Sequence, residues 1–171
     1  EIDEENMIAT VEAGVVTADF QARVEEIGLF YPPDPSSIKH STIGGNIACN
    51  AGGPRCLKYG VTSDYVLGLT AVLPNGDILK TGGKAIKNVT GLNLTQLLIG
   101  SEGTLAVITE ALLRLMPKPK HVRTAMAVYA RLDDAAKTVN AILLEGVIPA
   151  TIELMDDTTI NTIEEYLRLG L

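Results

Sequence analysis

Hydrophobic and polar positions alternate from Met7 to Val16, the period-two pattern of a strand with one buried face. Thr17 then reads as a cap, with Asp19 in the first turn of a helix over 18–27 and Gly28 as its stop. Leu29-Phe30-Tyr31 is short and apolar. Pro32, Pro33 and Pro35 hold the next stretch extended, because proline fixes its own φ and keeps its predecessor out of the helical region. Thr42 caps a short helix over 43–50, ended by Gly52 and Gly53. A strand over 65–73, the turn Pro74-Asn75-Gly76-Asp77 and a return arm over 78–81 make a β-hairpin. Asn93 caps a helix over 94–99, and Gly100-Ser101-Glu102-Gly103 turns tightly into the apolar run 104–116.

Pro117 and Pro119, with Lys118, Lys120 and His121, form a linker-like break, after which the pattern changes. Residues 123–131 alternate as a strand, Asp133 and Asp134 open a helix over 135–144, and Gly146 stops it. A second strand over 148–155 leads to Asp156, the cap of a helix over 158–169. This β-α-β-α order resembles half of a ferredoxin-like unit, and two strands alone leave an open sheet edge. The expected class is therefore α+β: a mixed or antiparallel sheet with helices over 1–119, and an incomplete second domain over 120–171. There is no internal repeat.

Composition narrows the function. The net charge of −7 argues against a general nucleic-acid binder. Its distribution is uneven: between Ile38 and Gly100 Lys39, Arg55, Lys58, Lys80, Lys84 and Lys87 face only Asp64 and Asp77, a balance of +4 against −11 elsewhere. The same window holds eleven of the sixteen glycines, so its field favours an anionic ligand, although solvated lysines on loops produce the same count. With Trp absent and aromatics at 4%, the core must rest on Leu, Ile, Val and Ala. Cys49 and Cys56 are too few for a disulfide framework or a structural zinc site, and read as buried free thiols in a reducing cytoplasm. No apolar run has the length of a membrane span and no leader pattern is present. The chain opens at Glu1 without methionine and closes straight after a helical pattern, which reads as a segment of something longer.

The chemistry concentrates in Ser41-Thr-Ile-Gly-Gly-Asn-Ile-Ala-Cys-Asn-Ala-Gly-Gly53, where two glycine pairs bracket an apolar run carrying two asparagines. Doubled glycines mark unusual dihedrals or close backbone approach, and exposed N–H groups beside a helix N-terminus form an anion site; a packing loop is the other reading. Asn46 and Asn50 lie four apart, hence on one helix face, where amides can meet a flavin edge or the local backbone. Tyr59-Gly60 can stack on a ring or merely turn the chain. Gly100–Thr104 can present N–H groups and hydroxyls to a pyrophosphate or ribose, or serve only as a turn. The spaced-glycine dinucleotide fingerprint and the Walker A loop are both absent from the sequence. Nothing places Glu102, Glu110 or Glu153 together, and no nucleophile with a base or two-histidine metal pattern stands out, so no catalytic or metal residue is named.

Four ordered motifs carry a resemblance: Tyr31-Pro-Pro-Asp-Pro-Ser-Ser37; Ser41–Gly53 continuing to Val61; Thr81-Gly-Gly-Lys-Ala-Ile-Lys-Asn-Val-Thr-Gly91; and Gly100–Thr109, with Pro149–Asp156 extending it. Together they resemble the FAD-linked oxidases of the vanillyl-alcohol oxidase type, and within them the glycolate oxidase FAD-binding subunits and D-lactate dehydrogenases. The resemblance implies the second FAD-binding subdomain followed by the start of a cap domain. It would put Asp34, Thr42, Ile43, Gly44, Gly45, Asn46, Asn50, Gly52 and Gly53 near the pyrophosphate and isoalloxazine, with Tyr59 and Gly60 lining the flavin. Glu102, Gly103 and the backbone of Val107 and Ile108 would meet the ribityl or adenine part. It further implies FAD as cofactor, a small-molecule D-2-hydroxy acid such as glycolate or D-lactate as substrate, and an electron-transfer subunit as a candidate partner. The family's first FAD subdomain would precede Glu1 and its His-rich substrate and metal site would follow Leu171, so the segment alone is expected to be inactive. A non-catalytic module using these turns for another phosphate ligand or for packing is the competing reading. A flavin reductase of cell-wall precursor synthesis fits the cap-like segment 123–171 poorly.

Overall fold

The computed structural model describes residues 1–170. A five-stranded antiparallel sheet runs in the order β1-β2-β6-β4-β5, formed by β1 (Ile2–Asp3), β2 (Ile8–Glu12), β4 (Val66–Val72), β5 (Ile78–Gly82) and β6 (Val107–Arg114). A separate two-stranded ladder joins β3 (Leu29–Phe30) to β7 (Met116–Pro117). The central strand β6 pairs with both β2 and β4, joining the chain's start to the hairpin that its turn residues encode.

Alternation decides which face is covered. Ala9, Val11, Leu69, Ala71, Ala111 and Leu113 are all buried on the face that receives the helices. Helix α1 (Thr17–Glu26) contributes Phe20 and Val24, and α2 (Ile43–Cys49) contributes Ile43 and Ile47, both with no exposed surface. Burying such side chains stabilises by about 1.5–3 kcal/mol each. Helix α4 (Leu94–Leu98) adds Leu98 against β4 and β5.

The proline-rich segment is buried rather than a surface loop: Tyr31, Pro32, Pro33 and Pro35 are all covered. Its carbonyls lack a ladder, and the buried Gln21 supplies the donors instead, from Nε2 to the Tyr31 oxygen at 2.9 Å and the Pro33 oxygen at 2.7 Å.

Several sequence expectations hold. Thr42 caps α2 by accepting the Gly45 N–H, Asn93 caps α4 through the Gln96 N–H, and the Pro74–Asp77 turn joins β4 to β5. Others do not. Thr17 makes no capping bond; its hydroxyl is buried, donates to the Ser41 carbonyl at 3.0 Å and accepts from Asn46. Helix α2 ends on Asn50 in the left-handed conformation, ahead of Gly52 and Gly53. Cys49 and Cys56 are free, but Cys49 is exposed and Cys56 half-buried.

The largest correction concerns the second region. Helices α5 (Leu132–Leu144) and α6 (Asp157–Leu167) form, the latter capped by Asp156 through the Thr159 N–H at 2.7 Å. The strands expected over 123–131 and 148–155 do not: neither segment joins a ladder, and residues 121–130 are exposed throughout. A strand exists only through a partner's N–H and C=O groups, and alternation specifies a face without specifying that partner. Among the described residues no helix is long and apolar enough to cross a membrane.

Candidate functional site

The glycine-rich segment folds as a short helix pressed onto the sheet. Gly44 donates its N–H to the Ala13 carbonyl at 2.8 Å, and a Cβ there would stand 2.6 Å from the Ala13 Cβ. Only a residue without a side chain lets α2 sit this close to the end of β2. Ile43 donates to the Val15 carbonyl and Gly45 to the Thr42 hydroxyl. The first three N–H groups of α2 are thus engaged by the protein itself. A phosphate at this helix start would have to compete with those bonds for its donors.

The opposite end of α2 gathers residues from distant parts of the chain. The turn after α4 docks there, with the Gly100 N–H donating to the Ile47 carbonyl at 3.0 Å and the Glu102 N–H to the Ala48 carbonyl at 2.9 Å. Gly100, Glu102 and Gly103 all have positive φ, and the space where a Gly103 side chain would lie is open. Asn50 borders this turn. Its Oδ1 accepts the Ser63 N–H at 2.9 Å, while its Nδ2 makes no hydrogen bond among the described residues. The Gly100, Ser101, Glu102 and Thr104 N–H groups are all engaged within the fold, so what this corner leaves for the flat ring or sugar of a large cofactor is the open space at Gly103 and the Asn50 amide.

Asn46 behaves differently from Asn50. It is buried, and its Nδ2 donates to the Thr17 hydroxyl at 2.7 Å, which ties α2 to α1. The expected pair of asparagines facing one ligand edge is therefore split, and Asn46 serves the scaffold.

Beyond α2, the Gly52–Gly53 turn lies against the Asp34 backbone. A Cβ on Gly53 would overlap the Asp34 carbonyl oxygen and stand 2.5 Å from its Oδ1. The Asp34 carboxylate accepts the Arg55 N–H at 3.2 Å on Oδ1 and pairs with Arg55 Nε at 3.1 Å through Oδ2. Burial lifts the Asp34 carboxyl above its ordinary range, and the Arg55 N–H and charge offset only part of that. Arg55 Nη1 is buried without a hydrogen-bond acceptor, and its guanidinium lies 5.2 Å from the Phe30 ring centroid, where a cation–π contact holds it. Arg55 and Phe30 were not among the sequence candidates; a lone arginine in a loop carries no periodic signal.

Tyr59, in α3 (Cys56–Tyr59), meets the Phe30 ring edge-on at 5.7 Å, with Lys58 5.5 Å from its own ring centroid. Its carbonyl accepts the Tyr65 hydroxyl at 2.6 Å, and Gly60 folds against the Asp64 carboxylate. Val107 and Ile108 pair with Val72 and Ala71, while the pairing of β2 with β6 stops at Glu110. The second backbone edge of those two residues is left uncovered by a strand.

Comparison with known proteins gives the family. Residues 1–82 match the FAD binding domain family and residues 118–170 match the C-terminal domain of FAD linked oxidases. The chain is similar to glycolate oxidase subunit GlcD of Bacillus subtilis, at 57% identity over the whole chain and 36% of that protein's length. It is 42% identical to a D-lactate dehydrogenase of Anaerostipes hadrus, over 96% of the chain and 34% of that protein. Among solved structures, alkyldihydroxyacetonephosphate synthase superposes with a TM-score of 0.74 at 27% identity, covering 88% of the chain and 27% of that structure. The chain spans about a third of the length of the curated relatives it matches. With an FAD binding domain matched over residues 1–82 and the C-terminal domain of FAD linked oxidases over residues 118–170, this chain belongs to the FAD-linked oxidases.

Proposed function

We propose that the chain supplies one wall of an FAD site in an oxidoreductase that acts on a D-2-hydroxy acid such as glycolate or D-lactate. The observation that carries this reading is the docking of the Gly100–Gly103 turn onto the end of α2, beside Asn50. FAD held by that turn and the Asn50 amide would supply the hydride-accepting chemistry for oxidising the substrate. The chain's own contribution is positional. The open space at Gly103 admits a ring system closely, the Asn50 amide offers a donor, and the uncovered edge of Val107–Ile108 extends the surface. Asp34, Gly53, Tyr59 and Gly60 form its flank; Thr42 to Asn46 anchor it to the sheet. The boundary between the FAD-binding part and the cap falls at residue 119, and the free cysteines fit a cytoplasmic setting. The word "subunit" in the Bacillus relative's name supports an electron-transfer partner. We also infer that the segment by itself is inactive, because it spans a third of such relatives.

The test is the visible spectrum of the full-length protein. Flavin absorbance that bleaches anaerobically on adding glycolate or D-lactate is expected. A colourless protein that binds no added FAD, or a flavin that neither substrate reduces, would refute the assignment. Fluorescence titration of the isolated segment tests its inactivity separately, with weak or no FAD binding expected.

A further inference from the structure

The Gly52–Gly53 turn is held from two sides, and only one of them is local. On the local side, Cys56 Sγ accepts the Gly53 N–H at 2.9 Å, and the Thr62 hydroxyl donates to the Ala51 carbonyl at 2.7 Å. On the other side stands Asp34, about twenty residues earlier in sequence, which reaches the turn through Arg55. Neither Gly52 nor Gly53 has positive φ, so no unusual dihedral requires glycine there. At Gly53 the requirement is space, because the Asp34 backbone occupies the volume a Cβ would take.

We propose that Asp34 and Arg55 act together as a strut that fixes the Gly52–Gly53 turn for the cofactor, Arg55 being a positioning residue rather than a ligand. The proposal rests on the FAD reading above. The two carboxylate oxygens of Asp34 take different donors on one residue, the backbone N–H and Nε of Arg55, which pins both the chain and the side chain after the turn. The guanidinium lies 5.2 Å from the Phe30 ring centroid, its Nη1 is buried and the Asp34 carboxylate is largely covered, so the pair works in a partly shielded setting where a charged hydrogen bond is directional. Phe30 itself is held by the β3–β7 ladder through its pairing with Met116. The strut therefore connects the turn, through Phe30, to the β3–β7 ladder. It acts by pre-organisation: a turn already in place loses less freedom when a ligand binds.

The experiment uses the full-length protein stripped of flavin, with Asp34→Asn, Arg55→Gln, the double variant and Arg55→Lys. FAD affinity is read by fluorescence titration, and hydrogen exchange of the Gly53–Arg55 amides is read on the cofactor-free forms. Each single variant is expected to weaken FAD about tenfold. The double variant should be no weaker than the worse single one, because both break the same unit. Amide exchange in the turn should accelerate in all of them without a general loss of protection, which separates a local strut from a global stability effect. Arg55→Lys should recover part of the affinity, since an ammonium keeps the charge but not the fork. If Arg55→Gln binds FAD and exchanges like wild type, the proposal fails. If the two losses multiply, or Asp34→Asn weakens FAD while Arg55→Gln does not, Asp34 touches the cofactor directly and the strut is refuted. Should wild type bind no FAD at all, the functional reading falls, while the exchange arm still decides whether the strut exists.

Discussion

Gly44 and Gly45 are adjacent, both helical and chemically identical, yet alanine should act on them in opposite directions. In a helix, alanine is favoured over glycine by about 1 kcal/mol. At Gly45 the residue is exposed, and the new Cβ would meet only the Thr42 hydroxyl, at 3.2 Å, a tight contact with the group that caps α2, which takes back part of the gain. At Gly44 the Cβ would stand 2.6 Å from the Ala13 Cβ and 3.1 Å from its Cα and carbonyl oxygen. Carbon atoms rest at about 3.5–4.0 Å, so α2 must withdraw by roughly 1 Å. Withdrawal stretches the 2.8 Å bond from the Gly44 N–H to the Ala13 oxygen, costing about 0.5–1.5 kcal/mol, and over-packing of this kind costs about 1–3 kcal/mol. After the propensity gain, Gly44→Ala should lose about 1–3 kcal/mol, and Gly45→Ala should gain up to about 1 kcal/mol. Thermal unfolding followed by circular dichroism reads both, at about 2–4 °C per kcal/mol for a chain of this size. Equal stability of the two variants, or a stabilised Gly44→Ala, would refute the close-approach argument.

Three further outcomes can be checked. Tyr31 is fully covered and its hydroxyl has no partner, and burial followed by the Tyr65 ring raises its phenol far above the ordinary value; Tyr31→Phe should stabilise by up to about 1 kcal/mol in urea unfolding, and a loss would reveal a missed partner. Thr42→Ala removes the cap of α2 and should cost about 1 kcal/mol, with Thr42→Ser close to neutral in the same assay. The raised carboxyl of Asp34 means that the folded form holds this proton more tightly than the unfolded chain. Its stabilising share is present below the unfolded pKa and fades as pH rises through the folded value. Wild type should therefore lose stability relative to Asp34→Asn as pH climbs from the model-compound value of 3.8, and the reverse slope in paired pH melts would overturn that sign.

Much of the local structure was legible because its causes are local. Thr42, Asn93 and Asp156 cap their helices through bonds three residues away, and Pro74–Asp77 turns where its own dihedrals demand. Thr17 and the two asparagines show where that reasoning stops. A threonine before a helix reads as a cap by pattern, but this one bonds to Ser41 and Asn46, over twenty residues away, and that contact exists only after α1 and α2 pack together. The segments over 123–131 and 148–155 fail for the same reason in reverse, since their alternation is real and their partners are not among the described residues.

What the sequence determined by itself was the inventory: an α+β pattern, the glycine pairs, and four ordered motifs whose family carries FAD. Which backbone donors around α2 the fold uses up was decided only in three dimensions. The N–H groups at its start are used by Val15, Ala13 and Thr42, and the turn at Gly100–Gly103, fifty residues on, spends its own on carbonyls at the other end and leaves open the space at Gly103. The physical reason is that a hydrogen-bond donor can serve a cofactor only where the fold has not already given it a partner, and that accounting depends on contacts distant in sequence.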